Sequence, residues 1–183
     1  MSGALAIAIA AATAGELHVD EPLRNAISVA LPSLDGMHGL AAAYERYAPE
    51  RGISFVASAQ LRQSVAGDFT GLRLGGGGEL RWYWLAHSKA WLSKLPAGSM
   101  AGWFAGVRAD VAIVATHDDV DARWLGNTIE VSSALVIGYR IVPWRQLEIT
   151  PSLNAGVRHE LADRVPGWTR PTIGAGLTAG WLF

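Results

Sequence analysis

The sequence predicts an all-β protein, an eight-stranded antiparallel up-and-down transmembrane β-barrel. Three observations lead there. Period-two alternation recurs in eight runs, nearly every charge on those runs falls on one face, and tryptophans gather near the run ends. Successive strand residues point to opposite faces, so the alternation assigns each side chain to one side of a sheet.

The eight runs can be taken in chain order. The first two, Ala26 to Leu34 and Gly39 to Tyr47, are the weakest. Ile53 to Ser64 sets Ile53, Phe55, Ala57, Ala59 and Leu61 against Ser54, Ser58, Gln60 and Arg62. Leu72 to Trp84 sets Leu72, Leu74, Leu80, Trp82 and Trp84 against Arg73, Glu79, Arg81 and Tyr83. Ala101 to Ala115 sets Trp103, Val107, Val111 and Ile113 against Gly106, Arg108 and Asp110. Ile129 to Ile141 sets Ile129, Val131, Leu135, Ile137, Tyr139 and Ile141 against Glu130, Ser132, Gly138 and Arg140. Leu147 to Glu160 sets Leu147, Ile149, Leu153 and Val157 against Glu148, Asn154, Arg158 and Glu160. The last run, Thr169 to Phe183, has one wholly apolar face and one of Arg170, threonines and glycines.

The connections follow from turn chemistry. Pro49 to Gly52 and Pro143 to Gln146 read as tight turns, and residues 87–99 as a link holding a short helical turn, Lys89 to Leu95. At the other end, residues 34–36, 66–69, 116–127 and 162–168 read as four polar loops. A meander with both termini at one end accounts for that alternation.

Bulk properties narrow the choices. The length of 183 residues fits one domain, 25–183, with residues 15–24 as a leading segment. A formal net charge of −1 makes no electrostatic case for nucleic acid, and the absence of cysteine removes disulfides and thiol chemistry. No apolar run reaches the roughly 18 to 20 residues of a membrane helix, so any membrane crossing uses strands. Residues 1–14 read as a signal-peptide remnant, with Ala12-Thr13-Ala14 as the cleavage site. The positive n-region is missing, since the first basic residue is Arg24; a loosely ordered apolar leader is the alternative.

The charges separate a soluble barrel, apolar inside, from a membrane barrel, apolar outside. The polar faces collect Glu45, Glu79, Asp110, Glu130, Glu148 and Glu160, and with them Arg62, Arg73, Arg81, Arg108, Arg140 and Arg158. The apolar faces carry almost none, Arg46 being the doubtful case. Neither lysine, Lys89 or Lys94, lies on a strand. Arginine matched to carboxylate suits a confined interior, where its planar fork satisfies two acceptors at once. An eight-stranded barrel is just wide enough for side chains to fill. These twelve residues are therefore read as a lumen charge network in two mixed layers. Glu45, Glu79, Arg81, Arg140 and Glu148 form the layer nearer the termini, and the other seven form the far layer. Mixed layers favour pairing over conduction, because selective pores show rings of one sign. Removing Arg108 is expected to strand a carboxylate at a cost of about 3 to 5 kcal/mol.

Trp84, Trp103, Tyr139, Trp144 and Trp181 fall near the strand ends on the terminus side, with Trp124 and Trp168 opposite. That is the double aromatic girdle of a membrane barrel. The run Gly75 to Gly78 lacks the Lys-Ser/Thr ending and following helix of a phosphate loop. It reads instead as strand, with Gly75 and Gly77 inward and the wall bending there to make space beside Glu79, Arg81 and Arg108.

The ending "GLTAGWLF" resembles the last strand of small outer-membrane β-barrel proteins of Gram-negative bacteria. Asn25 and Tyr44-Glu45-Arg46 are also similar to uncharacterised barrels of that kind. The resemblance spans roughly residues 22 to 183 and implies an outer-membrane location with both termini periplasmic. It further implies contact with membrane lipids and lipopolysaccharide, and Phe183 as the signal read by the barrel-assembly machinery. It implies no cofactor and no agreed activity.

Three functional readings remain open: a structural or interaction protein with a plugged lumen and an unidentified protein partner, a narrow channel for small solutes, and a lipid-modifying enzyme. The enzyme reading lacks a nucleophile beside His159, which has Val157 and Leu161 two residues away, or beside His117, preceded at that distance by Ala115. Asp118, Asp119 and Asp121 are weak metal candidates, more simply a solvated acidic loop.

Overall fold

The computed structural model describes residues 24–30, 37–66, 69–84, 100–144, 146–162 and 165–183. They form β1 Asn25–Ala30, β2 Met37–Ala48, β3 Ile53–Ala66, β4 Phe69–Tyr83, β5 Gly102–Asp118, β6 Arg123–Trp144, β7 Leu147–Ala162 and β8 Val165–Leu182. Each strand pairs antiparallel with the next, and β1 pairs with β8, so one sheet closes in a ring in chain order. The alternating runs thus appear as eight strands of one all-β sheet. The signal-like residues 1–14, the link holding Lys89 to Leu95, and residues 34–36 lie outside the described residues.

The seam of the ring is short. It is finished by Asn25, whose N–H donates to the Phe183 carbonyl at 2.9 Å and whose carbonyl accepts from the Phe183 N–H at 2.9 Å. The Tyr44 hydroxyl donates to Asn25 Oδ1 at 2.7 Å, tying β2 to the same corner.

Two expectations about connections need correction. Residues 116–127 are not a long polar loop: β5 runs to Asp118 and β6 starts at Arg123, leaving a turn at 119–122. Polar residues continue the ladder past the apolar zone, Thr116 opposite Gly126 and His117 opposite Trp124, because strand pairing uses the backbone and not the side chain. Residues 162–168 likewise belong largely to β7 and β8. The Pro49–Arg51 segment is a 3-10 turn that ends in Gly52 at φ 63°, where a residue with a Cβ is strained.

The glycine run lies within β4, as expected. Gly75 to Gly78 pair in unbroken register with β3 on one side and β5 on the other. The glycines serve close approach. A Cβ on Gly75 would stand 2.6 Å from the Ala112 Cβ, and one on Gly77 would collide with the Asp110 carboxylate. A Cβ on the outward Gly78 would make ordinary contacts, with the Phe55 ring at 3.5 Å and the Val56 carbonyl oxygen at 3.8 Å.

The two surfaces of the sheet differ in kind. Outward side chains are large, apolar and exposed, including Leu40, Phe55, Leu74, Trp82, Val107, Ile113, Leu135, Leu153 and Ile173. The buried residues lie inside the ring. Its apolar part sits toward the terminus end, built from Tyr47, Tyr83, Met100, Phe104, Val142 and Leu182. Tyr47 meets Tyr83 edge-on with centroids 5.5 Å apart, and Tyr83 lies 5.4 Å from Phe104, geometries that aromatic quadrupoles favour.

Candidate functional site: the charged interior

Just above this aromatic floor stands a compact ionic cluster. Glu45 reaches in from β2, Glu79 and Arg81 from β4, Arg140 from β6 and Glu148 from β7. Arg140 donates from one nitrogen to Glu45 at 2.5 Å, and its Nε lies 2.7 Å from Glu148. Arg81 bridges Glu45 at 2.7 Å and Glu79 at 2.5 Å. Glu45 also accepts from the Ser54 and Tyr83 hydroxyls, the latter at 2.9 Å. The Arg81 guanidinium stacks 4.5 Å from the Phe104 ring centre, joining the charges to the aromatic floor. The Arg140 and Glu148 side chains are 1% and 0% exposed, so this end of the interior excludes water. The five residues are those of the expected layer nearer the termini.

The far layer is looser. Arg73 Nε stands 3.3 Å from Glu130 and Arg158 Nε 3.8 Å from the same oxygen, so two arginines share one carboxylate. Arg108 pairs with Asp110 at 2.7 Å. Glu160, placed in this layer by parity, instead faces Arg170 at 4.0 Å on the more exposed rim. Exposure in this layer is uneven: the Arg108 side chain is 31% exposed and Arg158 25%, while Arg73, Asp110 and Glu130 lie at 8, 10 and 9%. The layer borders a cavity of about 640 Å³, whose walls include Arg62, Arg73, Arg108, Arg158, Ser132 and Asn154.

The structure brings eleven of the twelve parity-selected charges to the interior, with Arg62 on the cavity wall, and leaves Glu160 at the rim. Sequence reasoning passed over the floor residues Tyr47, Phe104, Val142 and Leu182, and placed the rim residue Arg170 on a polar face without counting it in the network. Tyr47, Phe104 and Val142 share the parity of Glu45, Arg108 and Arg140, and Leu182 shares that of Arg170, which is the signal that locates them. Arg46, the doubtful charge, is exposed.

The girdle residues that can be described sit as paired rings at the terminus end. Trp103 and Tyr139 meet at 5.2 Å, and Trp84 lies 6.0 Å from Trp82. Trp181 is half-buried, while the side chain of Trp144 lies outside the described residues. At the opposite end Trp124 and Trp168 are exposed.

The remaining candidates have local structural uses. Asp118 Oδ1 accepts from the backbone N–H groups of Val120 and Asp121 at 3.0 and 3.1 Å, an Asx-type cap on the 119–122 turn. Asp119 is hydrogen-bonded to His117 and accepts from the Thr70 hydroxyl at 2.7 Å. These two bonds, His117 first, hold its carboxyl below the ordinary value. Among the described residues no group of His, Asp and Glu is arranged to hold a metal.

His159 has a neighbour that reading along one strand misses. Thr169, directly opposite on β8, places its hydroxyl 2.8 Å from His159 Nδ1. Among the described residues no carboxylate contacts that imidazole to orient it as a base.

Comparison with protein-family models, curated proteins and solved structures finds no match.

Proposed function

We propose that the chain is an integral outer-membrane β-barrel, sealed at its terminus end, with a structural or interaction role. The observation that carries this reading is the inversion of the two faces. Aliphatic and aromatic side chains stand exposed around the outside, Ile173 at 88% and Leu135 at 68%, while carboxylates and arginines are buried within. A water-facing exterior of this composition would aggregate, whereas acyl chains solvate it. Closing the sheet also satisfies the backbone groups that hydrocarbon cannot.

Sealing is supported by the aromatic floor and by the Glu45–Arg81–Arg140 cluster, which leave that end without a wet path. This favours a plugged lumen over a narrow channel. The lipid-modifying reading has, among the described residues, only the His159–Thr169 contact and no third group. Under the proposal both termini face the periplasm, lipopolysaccharide and other lipids contact the outer belt, and Phe183 ends the strand that the assembly machinery reads.

The test is refolding of the full chain into vesicles containing bromine-labelled acyl chains. Insertion should quench tryptophan emission, as Trp82, Trp84 and Trp103 face outward, and the folded band should shift on boiling. A monodisperse, folded protein in plain buffer, with unquenched emission beside vesicles, would overturn the reading.

A further inference from the structure

Arg46 stands on the wrong side of the wall. It shares the parity of Leu40 and Tyr44 on β2, which are 60% and 42% exposed, and it is itself exposed. It therefore belongs to the outward apolar face and not to the charged interior. Among the described residues no carboxylate pairs with it. An ionisable group on a membrane-facing surface is costly enough to call for a use.

Register sets its level and its neighbours. Arg46 is directly opposite Asn25 on β1 and Phe55 on β3. One outward row toward the far end lies Tyr44, opposite Ile27, which faces Trp181. One outward row the other way lies Ala48, opposite Ile53, which faces Trp82. Arg46 thus sits between the rows of Trp181 and Trp82, at the level of the aromatic girdle. There a barrel's apolar belt gives way to headgroups, and a cation costs about 0 to 1 kcal/mol in place of the 2 to 4 of mid-belt. The Tyr44 hydroxyl donates to Asn25 Oδ1 at 2.7 Å, which fixes that ring two residues from Arg46 on the same face. Phe55, 57% exposed, flanks the arginine on β3. Beyond Phe55 the outward Ala57 faces Gly78, so the surface there is low.

We propose that Arg46 anchors one anionic phospholipid of the leaflet nearer the termini. Its guanidinium takes the lipid phosphate, whose oxygens match the planar fork bidentately. The rings of Tyr44 and Phe55 flank the glycerol region, because aromatic side chains are at home at that depth. An acyl chain then runs past Phe55 over the low surface of Ala57 and Gly78. A headgroup of net negative charge is favoured over a zwitterionic one, since the latter brings a cation that Arg46 repels. The charge complementarity selects a lipid and not a buried protein interface, where an arginine without a carboxylate partner would be stranded. This inference rests on the membrane reading above, because only a lipid-facing surface presents Arg46 to a lipid phosphate.

The test is native mass spectrometry of the refolded full chain, heat-modifiable material only, in neutral detergent with phosphatidylglycerol or phosphatidylcholine added. Wild type should retain one phosphatidylglycerol, about tenfold more tightly than phosphatidylcholine. Arg46→Gln should weaken phosphatidylglycerol binding about tenfold, the scale of a lost charge-assisted hydrogen bond. Arg46→Lys, which keeps the charge and loses the fork, should fall between. Arg170→Gln, at the opposite rim where the side chain is 62% exposed, should bind as wild type does. Equal binding of the two lipids by folded wild type, unchanged binding in Arg46→Gln, or equal weakening by Arg170→Gln would overturn the proposal. So would a wild-type dimer that Arg46→Gln dissolves, since a second copy would then occupy the surface. Any of these results from protein that inserts leaves the membrane reading intact, whereas a chain that never inserts in the quenching experiment removes both.

Discussion

The two ends of the interior are made of the same residue types and behave differently. Toward the termini, Arg81 and Arg140 face three carboxylates, and the hydroxyls of Ser54 and Tyr83 make up the missing donors to Glu45. Toward the far end, among the described residues, arginines outnumber acids, the two contacts to Glu130 lengthen to 3.3 and 3.8 Å, and the Arg108 and Arg158 side chains meet water. A chain with equal numbers of interior acids and arginines therefore is not balanced locally. Where water is excluded, each charge must find a partner within hydrogen-bond reach, because an unpaired one costs several kcal/mol. Where water enters, a looser pairing is tolerated, because solvent screens the charges.

Substitutions should follow that gradient. Arg140→Ala strands Glu148 and takes one of two arginines from Glu45 in the driest part of the ring, and should lower stability by about 3 to 5 kcal/mol, read as a urea midpoint shift. Gly77→Ala comes next, since its Cβ would collide with Asp110 and lie 2.5 Å from the Ala109 carbonyl oxygen. It should cost about 1 to 3 kcal/mol, whereas Gly78→Ala, facing outward, should stay within about 0.5 kcal/mol of wild type. Arg108→Ala should cost about 1 to 3 kcal/mol, less than Arg140→Ala because the Arg108 side chain is 31% exposed, yet measurable because Asp110, whose side chain is 10% exposed, loses its partner.

The smallest effect belongs to Asp119, in the exposed 119–122 turn. Its carboxyl is held below its ordinary 3.8 by hydrogen bonds from His117 and then Thr70. A depressed folded value adds stability that is present above the ordinary value and is lost as pH falls through the folded one. Asp119→Asn should therefore slightly flatten the acid limb of a Tm-against-pH curve below about pH 4 and leave the neutral region unchanged. A flattening confined to neutral pH would place the titration elsewhere.

Much of this arrangement is visible in the sequence because strand parity is rigid: Glu45, Arg73, Asp110, Glu130, Arg140 and Glu148 could be placed on one face without knowing a single neighbour. Register could not be read, since it depends on how far each strand slides, and so neither the Glu45–Arg140 pair nor the opposition of Arg62 and Arg73 was visible. The aromatic floor was missed for a different reason. Phe104, Val142 and Leu182 are apolar residues on the nominally polar face, and a reading that sorts faces by polarity overlooks them. Loop lengths were overestimated because hydrophilic residues such as His117 and Asn127 were taken to end strands that the backbone ladder continues.

The most direct test of a ring sealed at one end is single-channel recording of heat-modifiable protein in a planar bilayer. Folded wild type should be electrically silent, and Arg140→Ala combined with Phe104→Ala should admit openings if the barrel survives. Steady unitary openings from wild type would mean that water passes the Tyr47–Tyr83–Phe104 floor, and the seal assigned to it would be wrong.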